Sequence, residues 1–331
     1  MSLPQQDPRR SAVTRAAKRA VRPALTLVPP LREEAPRTRE QTLRAAVRGC
    51  RPRQAVTKNL LVLTAPGVGG HLVFDRSVLP GALVAVLTFC AVSAAVYLAN
   101  DVRDVESDRC HPVKCRRPVA CGDLRIPTAL AVAAGLAVAG FGLALWWSWG
   151  LAAVLATYLV VQVAYSTHAK HVPGVDLLTV TSGFVLRVVA GGVAAGVEVS
   201  LPFVTVVGAA ALFMVAGKRY SEMRTLGSSA GTRRSLAGYS LRWLRLVWVL
   251  AATLAAVGYA VAASGLAPSG TVASLCSIAS VPLFAAGVLR YAGHVRLGAA
   301  GCPESVIFGD RVLLGLGAVW LVPLSAAIVL A

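Results

Sequence analysis

After Lys58 the chain becomes a succession of apolar runs, each near twenty residues, separated by polar connections. A run of that length is what an α-helix needs to cross the hydrocarbon core of a bilayer. Nine such segments are legible: 58–74, 79–99, 127–146, 149–166, 176–196, 201–217, 243–264, 269–289 and 311–330. The first is short and holds Pro66 and three glycines. Alanine and glycine are abundant throughout, and small residues let helices approach closely inside a membrane. The pattern predicts an all-α integral membrane protein, a tight bundle of nine transmembrane helices, with no convincing internal repeat.

Composition agrees. The chain is 56% hydrophobic and 15% charged, with a mean hydropathy of +0.65. Soluble domains carry about 25% charged residues, so an ordinary soluble enzyme is excluded. The formal net charge is +18. Such an excess suits nucleic acid, a membrane surface or an anionic substrate, and its distribution decides among them. Residues 1–58, 100–126, 167–175, 217–245 and 290–311, the tail and the connections after the second, fourth, sixth and eighth segments with their flanks, hold 31 of the 33 Lys and Arg residues. The alternate connections carry only Asp75, Arg76 and Glu198. By the positive-inside rule the N-terminus and the basic loops face the cytoplasm. Nine crossings then place Ala331 outside, in a multi-pass protein of the cell membrane. Nucleic acid is set aside, because the basic loops are divided among helices that occupy a membrane. Residues 1–45, rich in Arg, Pro and Ala without an apolar run or secretory h-region, are read as a disordered basic tail, and 46–331 as one transmembrane domain. Anionic membrane lipid is the expected neighbour of that tail.

Two further features stand out. Arg187 lies inside the fifth segment, and an intramembrane charge points to function by default. The stretch from Asn100 to Asp108 carries Asp101, Asp104, Glu106 and Asp108. On a continuous helix Asp101, Asp104 and Asp108 share one face at i, i+3 and i+7, joined by Asn100. A row of hard oxygen ligands followed by Arg109, Lys114, Arg116 and Arg117 suits Mg²⁺ with a diphosphate. That ion takes one or two carboxylates and completes its shell with phosphate oxygens and water. Cys110, Cys115, Cys121 and His111 lack the usual zinc-ligand spacing. Free thiols are expected instead.

The N-D-x-x-D-x-x-x-D pattern between the second and third of nine helices resembles the first aspartate-rich motif of the UbiA-type intramembrane transferase superfamily. Four stretches resemble its decaprenyl-phosphate phosphoribosyltransferase branch: RPRQAVTKNLLVLTAP from Arg51, DRCHPVKCRRPVACG from Asp108, GFVLRVVAGGVA from Gly183 and LFMVAGKRYSE from Leu212. The resemblance covers the chain from about Val47 onward. It implies a nine-helix bundle and Mg²⁺-dependent transfer of 5-phosphoribose from phosphoribosyl diphosphate to a polyprenyl phosphate. Diphosphate leaves, and in mycobacteria and their relatives the product feeds cell-wall arabinan. It implies a metal site at Asn100, Asp101, Asp104 and Asp108, with the three aspartates catalytic. Lys58, Arg117, Arg187, Lys218 and Arg219 become the expected phosphate ligands. Tyr165 and Lys170 match a Y-S-x-x-x-K pattern facing the phosphate end of the cavity. Asp176 is the remnant of a second aspartate motif, since Val180 stands where a partner acid is expected. That remnant weighs against the alternative, transfer of a prenyl group from a prenyl diphosphate to an aromatic or other acceptor. A transporter would spread polar groups along the spans on both sides, whereas here they gather at one end. A homo-oligomer remains open.

Overall fold

The computed structural model describes residues 38–68, 75–111, 113–226, 238–266 and 271–330. All regular structure among them is helical. In chain order the α-helices are α1 (Arg39–Cys50), α2 (Pro52–Asn59), α3 (Thr64–Val68), α4 (Val78–Arg103), α5 (Val105–Arg109), α6 (Ile126–Trp147), α7 (Trp149–Thr167), α8 (Val175–Ala195), α9 (Leu201–Leu226), α10 (Leu241–Ser264), α11 (Val272–Leu297), α12 (Pro303–Gly309) and α13 (Arg311–Leu330). Eight of them, α4, α6 to α11 and α13, are long and apolar enough to cross a membrane. They correspond to the second to ninth expected segments. No disulfide forms among the described residues.

The first expected segment is broken. From Pro52 the chain runs through α2, a 3₁₀ turn at Leu60–Leu63 and α3, while 69–74 lie outside the described residues. This stretch descends beside α8. The Asn59 side chain meets Arg187, and one turn further the Val62 carbonyl lies against Gly191. A Cβ added to Gly191 would sit 1.8 Å from that oxygen. Gly81 on α4 makes the same close approach to the Ala194 carbonyl, at 2.0 Å for an added Cβ. Glycine at these two points lets backbones touch where van der Waals packing, rather than water exclusion, holds helices together.

The expected tail boundary at residue 45 falls inside α1. Thr38 caps that helix through a reciprocal bond with Gln41, the capping-box arrangement that satisfies two exposed N–H groups. Ala45, Ala46 and Gly49 bury against α4 and the following loop, so α1 belongs to the folded unit. Residues 1–37 of the expected tail lie outside the described residues.

Two large clusters make the interior. One joins Phe89, Leu155 and Tyr158 between α4, α7 and α8. The other joins Phe213, Trp248, Tyr291 and Val295 between α9, α10 and α11. Hydroxyl caps start α7 (Ser148), α10 (Ser240) and α11 (Thr271), each accepting the N–H three residues on at 3.1 Å.

Candidate active site

Helix α4 stops at Arg103 and α5 begins at Val105. Between them Asp104 adopts φ −93 and ψ 11, and the single helical face expected for the acids is interrupted. Asp101 and Asp108 remain together and buried, at 2% and 1% exposure. Arg117 bridges them, its Nη1 donating to Asp101 Oδ1 at 3.0 Å and to Asp108 Oδ2 at 2.6 Å. Arg51 donates to the same Asp101 oxygen. Lys114 Nζ lies 3.8 Å from Asp108 Oδ1. Asp104 instead turns to Lys170, 3.4 Å away and more exposed. Asn100 accepts a 2.8 Å hydrogen bond from Ser166. Glu106 points outward and pairs with Arg109.

Arg51 is a site residue that pattern reading passed over. It joins α1 to α2 and is the one non-glycine with positive φ, 51°, among the described residues. A left-handed arginine costs energy that the surroundings must offset. Here the strain aims its guanidinium at Asp101. Its Arg-Pro sequence marks a helix boundary, the only local signal available.

Asp101 Oδ2 and Asp108 Oδ1 are buried and have no hydrogen-bond partner. A buried carboxylate oxygen without a partner is costly. These two oxygens, of which Asp108 Oδ1 meets only the Lys114 ammonium at 3.8 Å, fit a hard cation such as Mg²⁺, which asks for one or two carboxylates. Asp104 is not drawn in with them. Among the described residues no three His, Cys, Asp or Glu side chains gather around one point.

The expected phosphate ligands divide into two groups. Lys58 and Lys218 are partly exposed, near Glu304 at 4.0 Å and Glu222 at 3.8 Å respectively. Arg51, Arg187 and Lys218 are all near enough to act electrostatically on the Lys58 ammonium. Arg187 and Arg219 are buried and already engaged. Arg187 donates from Nε to Asn59 at 2.7 Å, from Nη1 to the Gly183 carbonyl at 2.6 Å and from Nη2 to Tyr158 at 3.1 Å. It also stands over the rings of Phe89, Tyr158 and Phe184. Its partners are neutral, and cation–π attraction is strongest when the cation is desolvated.

Arg219 closes the other side. Its Nε donates to Asp176 at 3.2 Å and its Nη1 to Glu222 at 3.3 Å. The Tyr239 hydroxyl donates to the remaining Asp176 oxygen and accepts the Gly174 N–H at 2.6 Å. Burial, then the bond to Asp176, pushes the Tyr239 phenol well above its ordinary pKa. Asp176 therefore has both oxygens occupied. Tyr165, at the end of α7, is close enough for its hydroxyl to interact electrostatically with Arg219.

A model of the UbiA prenyltransferase family matches residues 62–308. The chain belongs to this family. Among curated relatives it is 40% identical to a decaprenyl-phosphate phosphoribosyltransferase of Corynebacterium glutamicum over 281 residues, 83% of each chain. The enzyme of the same description from Mycolicibacterium smegmatis is 40% identical over 293 residues, 85% of this chain and 92% of that one. The fold recurs in a UbiA homologue of Archaeoglobus fulgidus solved with GPP and Mg²⁺. That likeness has a TM-score of 0.65 at 17% identity, covering 86% of this chain and 99% of the other. A digeranylgeranylglyceryl phosphate synthase gives a TM-score of 0.64 at 16% identity, covering 87% and 99%.

Proposed function

We propose that this UbiA-family chain transfers the 5-phosphoribosyl group of 5-phosphoribosyl 1-diphosphate to a polyprenyl phosphate, releasing diphosphate. One observation carries the choice of branch. A single acidic site is left open, at Asp101 Oδ2 and Asp108 Oδ1, while the second acidic position, Asp176, is closed by Arg219 and Tyr239. The names of the 40% identical relatives support the same reading. Decaprenyl phosphate is the acceptor they suggest.

Asp101 and Asp108 would hold Mg²⁺, which neutralises charge developing on a departing diphosphate when bound. The A. fulgidus structure with Mg²⁺ lends this support at the level of the fold. The remaining chemistry belongs to the chain. Arg51 and Arg117 fix the two carboxylates and offer further guanidinium N–H groups to phosphate oxygens in the planar geometry that suits them. Lys58 and Lys218 add mobile positive charge from the facing wall, and Arg187 adds fixed charge from below.

An oxygen of the lipid phosphate attacks the ribose anomeric carbon. The new bond is carbon to lipid-phosphate oxygen, and the bond that breaks is carbon to diphosphate oxygen. The attacking oxygen is already anionic, so no side chain must remove a proton. A single in-line step inverts the anomeric centre. Lys170, held by Asp104 at 3.4 Å, and Tyr165 are the proposed neighbours of the acceptor phosphate. The basic distribution supports placing this end of the bundle in the cytoplasm.

The test supplies purified protein and Mg²⁺ with labelled phosphoribosyl diphosphate plus polyprenyl phosphate, and in parallel labelled prenyl diphosphate plus an aromatic acid. Labelled ribosylated lipid is expected in the first reaction. Prenyl transfer without ribosylated lipid would overturn the assignment.

A further inference from the structure

A groove of about 400 Å³ runs between α4, α6 and α7, within the range of ligand-binding clefts. Most of its wall is apolar, including Ala99, Ala133, Ala134, Ala137 and Val163. It opens outward, with Leu130 47% and Val163 58% exposed. One end is polar: Asn100, Arg103 and Ser166 line it there. Along α4 the wall extends from Ala95 to Arg103, eight residues or about 12 Å of helix.

Three observations say what lies in it. First, Arg103, which lines that polar end, makes no ion pair or hydrogen bond among the described residues, whereas Arg109, Lys114 and Arg117 of the same loop each have an acidic partner. An unpaired guanidinium at the head of an apolar groove complements an anionic group attached to an apolar chain. Second, the groove is continuous with the acidic site. Asn100 precedes Asp101, uses its carbonyl oxygen for Ser166 at 2.8 Å, and keeps its amide N–H groups without a partner among the described residues. Third, the route straight down between α2, α4, α7 and α8 is filled. Arg187, Asn59, Ser93, Tyr158 and Phe89 are all buried there, locked by the bonds from Arg187 to Asn59 and Tyr158. A lipid tail threaded along that path would have to break bonds around a buried charge, which is costly. A lateral path avoids the loss.

We infer that the isoprenoid chain of the lipid acceptor lies in the groove between α4, α6 and α7, with its phosphate at the Asn100–Arg103 end. The inference rests on the proposed function for the identity of the acceptor. It assigns a role to Arg103, which holds the lipid phosphate, and to the alanines, whose small side chains leave room for the chain. Beyond Ala137 the rest of a long polyprenyl chain continues into the bilayer.

The experiment uses the full chain in nanodiscs and a polyprenyl phosphate carrying a diazirine in its isoprenoid chain. After irradiation, labelled peptides are mapped by mass spectrometry. Labels are expected on the α6 peptide containing Ala134 and the α7 peptide containing Val163. Unlabelled polyprenyl phosphate and the groove-filling substitution Ala134→Phe should each lower that labelling at least about five-fold. Val138→Phe, on the same helix at a 72% exposed position outside the groove, should leave it unchanged. Labels confined to other helices would overturn the inference. So would labelling of the groove that phosphatidylglycerol displaces as well as polyprenyl phosphate does, which would make it an ordinary lipid contact. Because labelling needs no turnover, the result is separable from the proposed function. Groove labelling without ribosylated lipid in the transfer assay would sink that function alone, and ribosylated lipid without groove labelling would sink this inference alone.

Discussion

Replacing Arg219 tests whether that residue holds substrate or holds the bundle. Arg219 is 3% exposed and Asp176 1%, and they join α9 to the start of α8. Removing one partner of such a pair leaves the other charge buried alone, which costs about 3–5 kcal/mol. Arg219→Met and Asp176→Asn should therefore each lower thermal stability markedly, by about 6–10 °C at roughly 2 °C per kcal/mol. The double variant leaves no uncompensated charge at this pair, and Tyr239 can still bond an amide. It should recover part of the loss, with a coupling of about 2–3 kcal/mol between the two sites. Thermal unfolding of the four proteins in one detergent gives the cycle. Losses that simply add would refute the structural ion pair. An Arg219→Met protein of unchanged stability but raised KM for phosphoribosyl diphosphate would instead make Arg219 a phosphate ligand. Lys218, the neighbouring residue, is the contrast: at 34% side-chain exposure it should shift KM on replacement by alanine and barely shift stability.

Other outcomes are fixed by the same geometry. Asp101→Asn and Asp108→Asn should each lower kcat by about 100-fold or more, the equivalent of about 3 kcal/mol of lost metal-dependent stabilisation. Asp104→Asn, at a more exposed carboxylate facing Lys170, should cost less; the reverse order in steady-state assays would contradict the assignment of the two buried acids. Gly191→Ala forces a Cβ to within 1.8 Å of the Val62 carbonyl and should destabilise by about 1–3 kcal/mol, whereas Gly142→Ala, with open space around it, should not, as unfolding in detergent will report. Deleting residues 1–37 should leave turnover intact, but deletion through Cys50 removes buried Ala45 and Ala46 and should abolish it. Asp310 bonds His294 at 2.6 Å and Arg290 at 2.8 Å, and these hold its carboxyl far below the ordinary range. A depressed pKa contributes stability that is present above the unfolded value and lost only as pH falls toward the folded one. Acid titration of stability should therefore flatten below about pH 4 when Asp310 is changed to Asn.

Much of the fold was legible because hydrophobic length and charge parity are local, additive signals. Six of the eight spans fall within about four residues of their expected bounds, while the helices expected at 201–217 and 269–289 run on to Thr225 and Leu297. The broken first span was harder, since its shape depends on glycine-mediated contact with α8 rather than on hydropathy. Of the four residues expected at the acidic site, Asp101 and Asp108 lie together, while Asp104 turns to Lys170 and Asn100 to Ser166. A helical wheel assumes an unbroken helix, and the interruption at Asp104 is set by an N–H that bonds Asn100 and Val102 carbonyls at once. Arg187 stood out by its charge, yet its partners could not. Asn59 is 128 residues away in sequence and Tyr158 is 29, and neither carries a pattern of its own.

The pairing of Asp176 connects these levels. A carboxylate left over from a second metal motif would be a buried charge with nothing to hold, a loss of several kcal/mol. Here Arg219 supplies the positive charge and Tyr239 supplies the remaining hydrogen bond. Val180, where a second acid is expected, packs instead as a partly buried apolar residue against the α9–α11 core. Asp176 is thereby tied into a rigid cross-brace between α8 and α9, and in the proposed function Asp101 and Asp108 alone serve a diphosphate. An attempt to restore the second motif by Val180→Asp alone should therefore yield an unstable protein without prenyltransferase activity. Stability should return only when the new charge is neutralised. A stable Val180→Asp protein that transfers a prenyl group from a prenyl diphosphate would refute the argument.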